Sequence, residues 1–181
     1  KHLLSVAKSS NKPHNEHLAG LLDKEVTLNK DLIIPNLAPI IGGYHQVYSQ
    51  YVGKPATPLP RYQLLSAWAN FQKQHEFNPP HDHSGVYSFV IWMQIPTSYA
   101  EQKKLPICAN SNADNHISNF AFSYTNTLGR VSTFAYNMEK EAEGYMVMFP
   151  SNLLHQVFPF YDNDGERISI SGNINIAKLE G

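Results

Sequence analysis

The chain has 181 residues, of which 42% are hydrophobic and 16% charged, and these values predict one folded domain and exclude a disordered chain. Its formal net charge is −1 with nine His counted as neutral, so no overall basic charge indicates a nucleic-acid or anionic-membrane partner. The single cysteine, Cys108, excludes an intrachain disulfide and a zinc site built from cysteines, and no apolar run approaches the roughly 18 residues that a membrane span needs.

The cellular location is predicted from the cysteine content and the first residues. One free thiol fits a reducing compartment. The start, Lys1-His2-Leu3-Leu4, becomes polar too soon for a secretory signal. We therefore expect a cytoplasmic protein.

Residues 1–61 are predicted to form a helical and loop segment that packs on a β-rich core over residues 62–181, within one domain. Leucines at helical spacing predict a short helix near 15–24. A second helix is predicted over Asn36–Tyr51, before a proline-rich linker that includes Pro55, Pro58 and Pro60. The apolar face of this second helix is predicted to consist of Ile40, Ile41, Tyr44, Val47 and Tyr51.

From Tyr62 onward, short segments rich in β-branched and aromatic residues alternate with turn signals, including those at 110–114 and 162–165. Many short strands without long helices between them predict a sandwich or a closed barrel rather than βαβ units. Strands are predicted near 62–72, 85–95, 118–124, 131–137, 144–149, 154–160 and 167–177.

Two histidines stand two residues apart in the segment Asn78-Pro79-Pro80-His81-Asp82-His83. Residues i and i+2 of an extended chain point the same way, so His81 and His83 can bind one metal ion. The two prolines disfavour a helix at this point. The alternative interpretation is a polar loop that happens to contain two histidines.

The longest polar insertion covers residues 97–117 and contains Tyr99, Lys103, Lys104 and several asparagines. Long loops in compact domains are often functional. This insertion is therefore a candidate lid over the site.

A third histidine, His155, follows a predicted strand and a turn at Pro150, and it opens the next strand. An isolated histidine in such a position is ordinarily a hydrogen-bonded core residue. Here His155 can supply a metal ligand from the wall opposite His81 and His83.

The last predicted strand alternates strictly between apolar and polar residues, so it has one apolar and one polar face. A polar face of this length is either solvated or lines a wet cavity, and composition favours solvent. The apolar face consists of Ile168, Ile170, Ile174 and Ile176, and the polar face of Arg167, Ser169, Ser171, Asn173 and Asn175.

Arg167 and Ser169 begin this polar face. The turn at 162–165 is predicted to fold the strand back against the one that starts at His155, which leaves a gap of about 16 Å between His155 and Arg167. Guanidinium is the preferred planar partner of a carboxylate, and a five-carbon dicarboxylate with an extended arginine can bridge that gap. The alternative is a surface salt bridge from Arg167 to Asp162, Asp164 or Glu166.

Together these motifs resemble the Fe(II)- and 2-oxoglutarate-dependent oxygenases, in particular the prolyl-hydroxylase-like subgroup, similar small members of which are encoded by phages and marine bacteria. His81 matches that family's first metal ligand and His155 its distal histidine. Arg167 and Ser169 match its Arg-x-Ser pair, while the segment 68–70 resembles the strand before the first motif. The resemblance covers roughly residues 62–177.

The resemblance implies a mainly β fold, the double-stranded β-helix or jelly roll, behind short N-terminal helices. It implies Fe(II), O2 and 2-oxoglutarate as the small-molecule co-substrate, with Arg167 holding the distal carboxylate and Ser169 hydrogen-bonding beside it. The implied activity is that of a hydroxylase. Its primary substrate is a peptide, a nucleotide or a small molecule.

The second ligand position departs from the family pattern, because His83 stands where a carboxylate is usual and Asp82 comes one residue earlier. Strand alternation favours a three-histidine site formed by His81, His83 and His155. A β-bulge that turns Asp82 inward would instead produce the usual set of two histidines and one carboxylate.

Two other protein classes remain as alternatives. A metal cupin without 2-oxoglutarate chemistry, such as an isomerase or a small-ligand binder, shares the barrel, the His-x-His pair and a motif like the one from Gly144 to His155. Its usual glutamate is missing here, because residues 84–93 contain no acid. A non-catalytic protein that keeps the barrel is the other class. Conversion of 2-oxoglutarate into succinate by the Fe(II)-loaded protein separates the oxygenase from both.

Overall fold

Two antiparallel β-sheets are the main feature of the computed structural model, which describes residues 1–52, 61–109 and 116–177. The strands in these ranges are β1 (Glu25–Thr27), β2 (Tyr62–Gln72), β3 (Asn78–His81), β4 (Tyr87–Gln94), β5 (Asn119–Thr125), β6 (Val131–Asn137), β7 (Met146–Pro150), β8 (His155–Val157) and β9 (Arg167–Ile176). The helices are α1 (His2–Ser9), α2 (Ile34–Val52), α3 (Tyr99–Gln102) and α4 (Pro106–Ala109).

The strand order is β1-β2-β9-β4-β7 in the five-stranded sheet and β3-β8-β5-β6 in the four-stranded sheet. Phe120 and Phe122 of the second sheet pack against Val90, Trp92 and Phe149 of the first. The two sheets therefore face each other, as expected of a jelly roll. All seven predicted strands form. Strands β1 and β3 were not predicted. They are only three and four residues long, and two of the four residues of β3 are prolines, so their sequences carry little strand signal.

The predicted pairing between the strand of His155 and the strand of Arg167 is wrong. Strand β8 pairs with β3 and β5, whereas β9 pairs with β2 and β4. The turn at 162–165 therefore carries the chain from one sheet to the other instead of closing a hairpin. His155 and Arg167 consequently lie on opposite walls of the space between the sheets.

The alternation predicted for β9 is confirmed, but the first half of its polar face lines a cavity instead of facing bulk solvent. Ile168, Ile170 and Ile174 are fully buried in the cluster that includes Leu37 and Ile41 of α2. The opposite face points toward the second sheet. Both faces of the five-stranded sheet are covered near the start of β9, by helices on one side and by a sheet on the other, so its polar residues Arg167, Ser169 and Ser171 line a cavity between the sheets.

Helix α2 extends slightly beyond its predicted bounds and uses a partly different face. Its buried or half-buried side chains in the core are Leu37, Ile41, Tyr44 and Tyr48. Ile40 and Val47, predicted for that face, are 47% and 56% exposed. The prediction that Ile41 and Tyr44 face the core is correct. Tyr51 lies in the helix, but its side chain is outside the described part.

The helix predicted near 15–24 is wrong, since only a 3-10 turn over Asn15–His17 forms there. The Asn15 side-chain amide donates to the Leu22 carbonyl over 2.8 Å, and its oxygen accepts from the Glu25 N–H over 3.2 Å. The Leu21 N–H also donates to the Phe77 carbonyl over 2.9 Å. These contacts fold the segment back on itself and tie it to β1 and to Phe77, in place of a helix.

The proline-rich linker and the turn at 110–114 lie outside the described residues, and a division of the chain at residue 61 stays a prediction.

Among the helices described, none combines the length and the apolar character needed to cross a membrane.

Candidate active site

Two of the predicted metal ligands are neighbours in one ladder. His81 at the end of β3 pairs directly with His155 at the start of β8. Paired residues on antiparallel strands project their side chains to the same face, and these two ring centroids are 4.3 Å apart. The ladder is irregular between Asn78 and His81, where two prolines lack the backbone N–H.

His83 completes the cluster from the turn that follows β3. Its backbone N–H donates to the Ser151 carbonyl over 2.9 Å. Gly85 permits the turn with a φ of +115°, and a side chain there would come within 2.7 Å of the Ile174 carbonyl oxygen. One potential ligand atom from each of His81, His83 and His155 lies within 4.8 Å of the others. The structure therefore brings together the three predicted histidines.

Backbone contacts orient two of the rings. Nδ1 of His81 lies 2.7 Å from the Pro79 carbonyl oxygen, and Nδ1 of His155 lies 2.9 Å from that of Leu153. A carbonyl only accepts, so each Nδ1 carries the proton and donates it. The lone pair of each Nε2 is then free to bind a metal ion, in the arrangement that metal-binding histidines commonly have.

Burial keeps the three imidazoles neutral. Removal from water, together with the neighbouring His81, lowers the pKa of His83 to about 4 and that of His155 to about 3. Burial also lowers the pKa of His81. Aromatic rings surround the cluster, with Trp68 5.5 Å from His83 and Phe149 4.9 Å from His155 between centroids. The cluster offers neutral nitrogen ligands at neutral pH without first losing a proton.

Asp82 lies outside the cluster. Its side chain is exposed, and its carboxylate is not one of the potential ligand atoms that lie within 4.8 Å of one another. The irregularity in β3 precedes His81 and leaves the alternation from His81 to His83 intact.

Arg167 is buried in the same cavity as the histidines and is 3% exposed. Its Nη2 donates to the Ser118 hydroxyl over 2.7 Å, and its Nη1 donates to Gln72 Oε1 over 3.2 Å. Within the described residues it has no carboxylate partner, and its buried Nε has no hydrogen bond. The alternative of a surface salt bridge is therefore wrong.

An unpaired guanidinium is costly inside a protein. Burial lowers the pKa of Arg167 to about 9, so the group is still a cation at neutral pH. A buried cation with neutral partners and a free N–H is suited to bind an anion from solution.

Ser118 was missed by the sequence reasoning because it is 49 residues from Arg167. A non-glycine residue with a φ of +45° is uncommon, and such conformations concentrate at functional sites. The signal exists only in the structure.

Ser169 lies beside Arg167 on the same face and pairs with Asn70 of β2. Its Oγ accepts from Asn70 Nδ2 over 3.0 Å, which leaves its own hydroxyl proton available to donate. The segment 68–70, noted in the sequence for its resemblance to the strand before the first motif, supplies Trp68 and Asn70 to the cavity wall.

The N-terminal segment contributes to the cavity wall, whereas the described part of the insertion 97–117 does not. Leu18, Ala19 and Leu22 line the cavity together with the histidines and Arg167. In the insertion, the Gln102 side chain donates to the Tyr161 carbonyl over 2.7 Å and accepts from its N–H over 2.9 Å. The lid function of the insertion stays a prediction.

Glu25 of β1 was also missed. It pairs with Asn70, is 1% exposed, and its two carboxylate oxygens have no hydrogen-bond partner within the part of the chain that is described. Burial, and secondly the nearby Glu76, raises its pKa from the usual 4.5 to about 7.

We expect the free energy of unfolding to fall by about 3 kcal/mol as the pH rises from 4.5 to 7, because the folded state then holds a proton that the unfolded state has lost. The measurement is urea unfolding of the metal-free protein at pH 5 and pH 8, for wild type and Glu25→Gln. The buried histidines affect both proteins equally and lose stability in the opposite direction, below about pH 6.5. The same pH dependence in both proteins would contradict the assignment to Glu25.

Comparison with known proteins gives one family match. Residues 66–173 match the model of the family described as "Putative 2OG-Fe(II) oxygenase". Among curated proteins, no relative matches the chain.

Two solved structures share the fold. A Pseudomonas putida prolyl-4-hydroxylase aligns with a TM-score of 0.54 and 15% identity, covering 95% of this chain and 80% of its own. An oxidoreductase of the 2OG-Fe(II) oxygenase family from Burkholderia pseudomallei aligns with a TM-score of 0.53 and 12% identity, covering 96% of this chain and 76% of its own.

Proposed function

Because the chain belongs to the 2OG-Fe(II) oxygenase family, we propose that His81, His83 and His155 hold its iron and that Arg167 and Ser169 hold its 2-oxoglutarate. The protein is an Fe(II)- and 2-oxoglutarate-dependent oxygenase that uses O2. The observation that carries the assignment of residues is one cavity lined by three converging neutral imidazoles and by a buried guanidinium without a counter-ion.

The three histidines fit an Fe(II) ion. Imidazole nitrogen is a suitable ligand for iron, and three protein ligands leave positions of an octahedral ion open for other molecules. The carbonyl groups of Pro79 and Leu153 hold two of the rings in the tautomer that presents Nε2. Because the three proposed ligands are neutral, they leave the positive charge of the iron uncompensated, and an anionic co-substrate would balance that charge.

Arg167 and its neighbours fit the distal carboxylate of 2-oxoglutarate. The guanidinium carries the positive charge, Gln72 and Ser118 hold it in position, and the Ser169 hydroxyl can donate a further hydrogen bond. An iron held by these histidines would supply the activation of O2 at the expense of 2-oxoglutarate: one oxygen atom would enter the substrate, the other would enter succinate, and CO2 would be released. The aromatic rings around the histidines keep bulk water away.

The direct test is production of succinate from 2-oxoglutarate by purified protein supplied with Fe(II) and O2. Oxygenases of this kind are expected to turn over slowly without their primary substrate, and a chelator should stop the reaction until Fe(II) is restored. Iron-bound protein that never consumes 2-oxoglutarate would favour the metal-cupin alternative.

The second ligand is tested by a pair of adjacent variants. We expect Asp82→Ala to retain one equivalent of iron and His83→Ala to lose it, because the Asp82 carboxylate is exposed while the His83 ring lies in the cluster. Metal analysis after loading with Fe(II) without oxygen gives both occupancies. The reverse pattern would assign the ligand to Asp82 and restore the usual two-histidine, one-carboxylate site.

We also propose a cytoplasmic location. A reducing compartment keeps Fe(II) reduced and leaves the lone Cys108 as a thiol. Recovery of the native protein in a secreted fraction would contradict this.

A further inference from the structure

The carboxylate of Glu25 is a buried acidic group to which the proposed reaction gives no role. Neither of its oxygens has a hydrogen-bond donor within the residues described, and the residue is 1% exposed. Buried carboxylates in folded proteins are normally paired or hydrogen-bonded, because an uncompensated one is costly. A group left in this state suggests that its partner comes from outside the chain.

Glu25 faces the cavity side of the five-stranded sheet. It pairs with Asn70, whose side chain lines the cavity, and paired residues share a face. Its neighbour Val26 points the other way, into the core beneath the helices. Glu25 Oε1 and Asn78 Oδ1 both lie close to Gly20. A Cβ atom at residue 20 would be 3.0 Å from the first oxygen and 2.9 Å from the second. Leu22 and Asn78, which border Glu25, are themselves cavity-lining residues.

Hydrogen-bond acceptors outnumber donors at this end of the cavity. Asn70 gives its Nδ2 hydrogens to Ser169 and Ser171, and its Oδ1 is buried without a partner. Together with the two Glu25 oxygens, three buried acceptors therefore await donors. Such a set cannot be satisfied by another acceptor-rich ligand such as a carboxylate or a phosphate.

The neighbouring cations are engaged elsewhere. Lys24 Nζ lies 4.0 Å above the Phe71 ring, and Lys73 pairs with Asp23 over 3.0 Å. Arg167 is held by Ser118 and Gln72. The charged residue that shifts the pKa of Glu25 is Glu76, which is also an acid and raises that pKa. The local field at Glu25 therefore favours a positive charge.

We propose that Glu25 and Asn70 bind an ammonium or guanidinium group of the primary substrate, an inference that rests on the proposed function. Such a group brings both the positive charge and the N–H donors that the three acceptors lack. Trp68, two residues before Asn70 on the same strand face, also lines the cavity. The substrate class is thus an amine or a guanidine, free or as a side chain.

The test compares matched probes on protein loaded with Fe(II) and 2-oxoglutarate without oxygen, at pH 8, where Glu25 is ionised. The probes are n-propylguanidinium and n-propylammonium, with n-propylurea as the neutral analogue of the first, and binding is followed by NMR titration. Wild type is expected to bind at least one cation roughly tenfold or more tightly than the urea. Glu25→Gln, which keeps the volume and adds a donor for Asn70 Oδ1, should lose that preference.

Glu16→Gln is the control, because it removes one exposed acid from the same N-terminal segment and should behave as wild type. Equal binding of the cations and the urea by wild type, or an unchanged preference in Glu25→Gln, would overturn the inference. The affinities for Fe(II) and for 2-oxoglutarate are measured on the same three proteins. Normal affinities with no cation preference would refute only the role of Glu25, whereas their absence in wild type would refute the proposed function as well.

Discussion

Replacement of His155 by alanine is expected to abolish stoichiometric iron binding. His155 is the proposed ligand from β8, and it faces His81 directly across the ladder. Without it, two imidazoles from one short segment remain. The loss of affinity should exceed the roughly 10–100-fold that follows from removing a residue that only supports a metal ligand. Metal analysis after anaerobic Fe(II) loading and gel filtration measures the occupancy.

His2→Ala is the matched control, since His2 is exposed in α1, away from the histidine cluster. It should retain one equivalent of iron. Because His155 is 4% exposed, the unfolding of both metal-free variants has to be compared as well. His155→Ala should lose less stability than wild type between pH 6.5 and 4, because it lacks a buried base that the unfolded state protonates first. Full iron occupancy in a folded His155→Ala protein would remove the site as assigned.

Replacement of Arg167 by methionine is expected to weaken 2-oxoglutarate binding by roughly thirtyfold to several-thousandfold, while iron stays bound. Truncating one partner of a buried charged pair costs about 2–5 kcal/mol, and each factor of ten in affinity corresponds to about 1.4 kcal/mol. Methionine has a similar length and leaves little empty space. Titration of 2-oxoglutarate into Fe(II)-loaded protein without oxygen measures the effect directly.

The stability of Arg167→Met distinguishes a binding defect from a folding defect. Arg167 is a buried cation without a counter-ion among the described residues, so an apolar replacement should leave the protein at least as stable when 2-oxoglutarate is absent. Arg130→Met, at an exposed arginine, should change neither property. Equal 2-oxoglutarate affinity in wild type and Arg167→Met would show that Arg167 does not hold the co-substrate.

Local sequence patterns were sufficient to predict seven of the nine strands in the described residues, but not β1 and β3. The alternation in β9 and the aromatic and β-branched runs of the other long strands reflect a period of two that depends only on neighbouring residues. The same kind of pattern failed at residues 15–24, where the leucine spacing suggested a helix. There the side chain of Asn15 and the bridge from Leu21 to Phe77 hold the backbone in an irregular loop, and such contacts leave no periodic trace in the sequence.

Pairing between strands was beyond the reach of the sequence. The turn before β9 looks like a hairpin turn, yet β8 and β9 lie in different sheets. Whether a turn closes a hairpin or crosses between sheets depends on which partners bury the flanking strands, and those partners are distant in the chain. The same limit applied to the polar face of β9. Its composition predicts exposure to solvent, but in the structure the opposing sheet lies over it and it forms part of a cavity wall.

The sequence by itself was enough to propose the residues that carry the chemistry: two histidines at i and i+2, a third after a later strand, and an arginine and a serine on one strand face. Their chemical types and short-range spacing are local properties, and the family resemblance linked them. Only the tertiary structure decided that Asp82 is exposed, that Ser118 and Gln72 hold Arg167, and that Glu25 lies buried without a donor. Burial and hydrogen-bond satisfaction depend on every segment packed around a group, so they arise only when segments far apart in the chain are folded together.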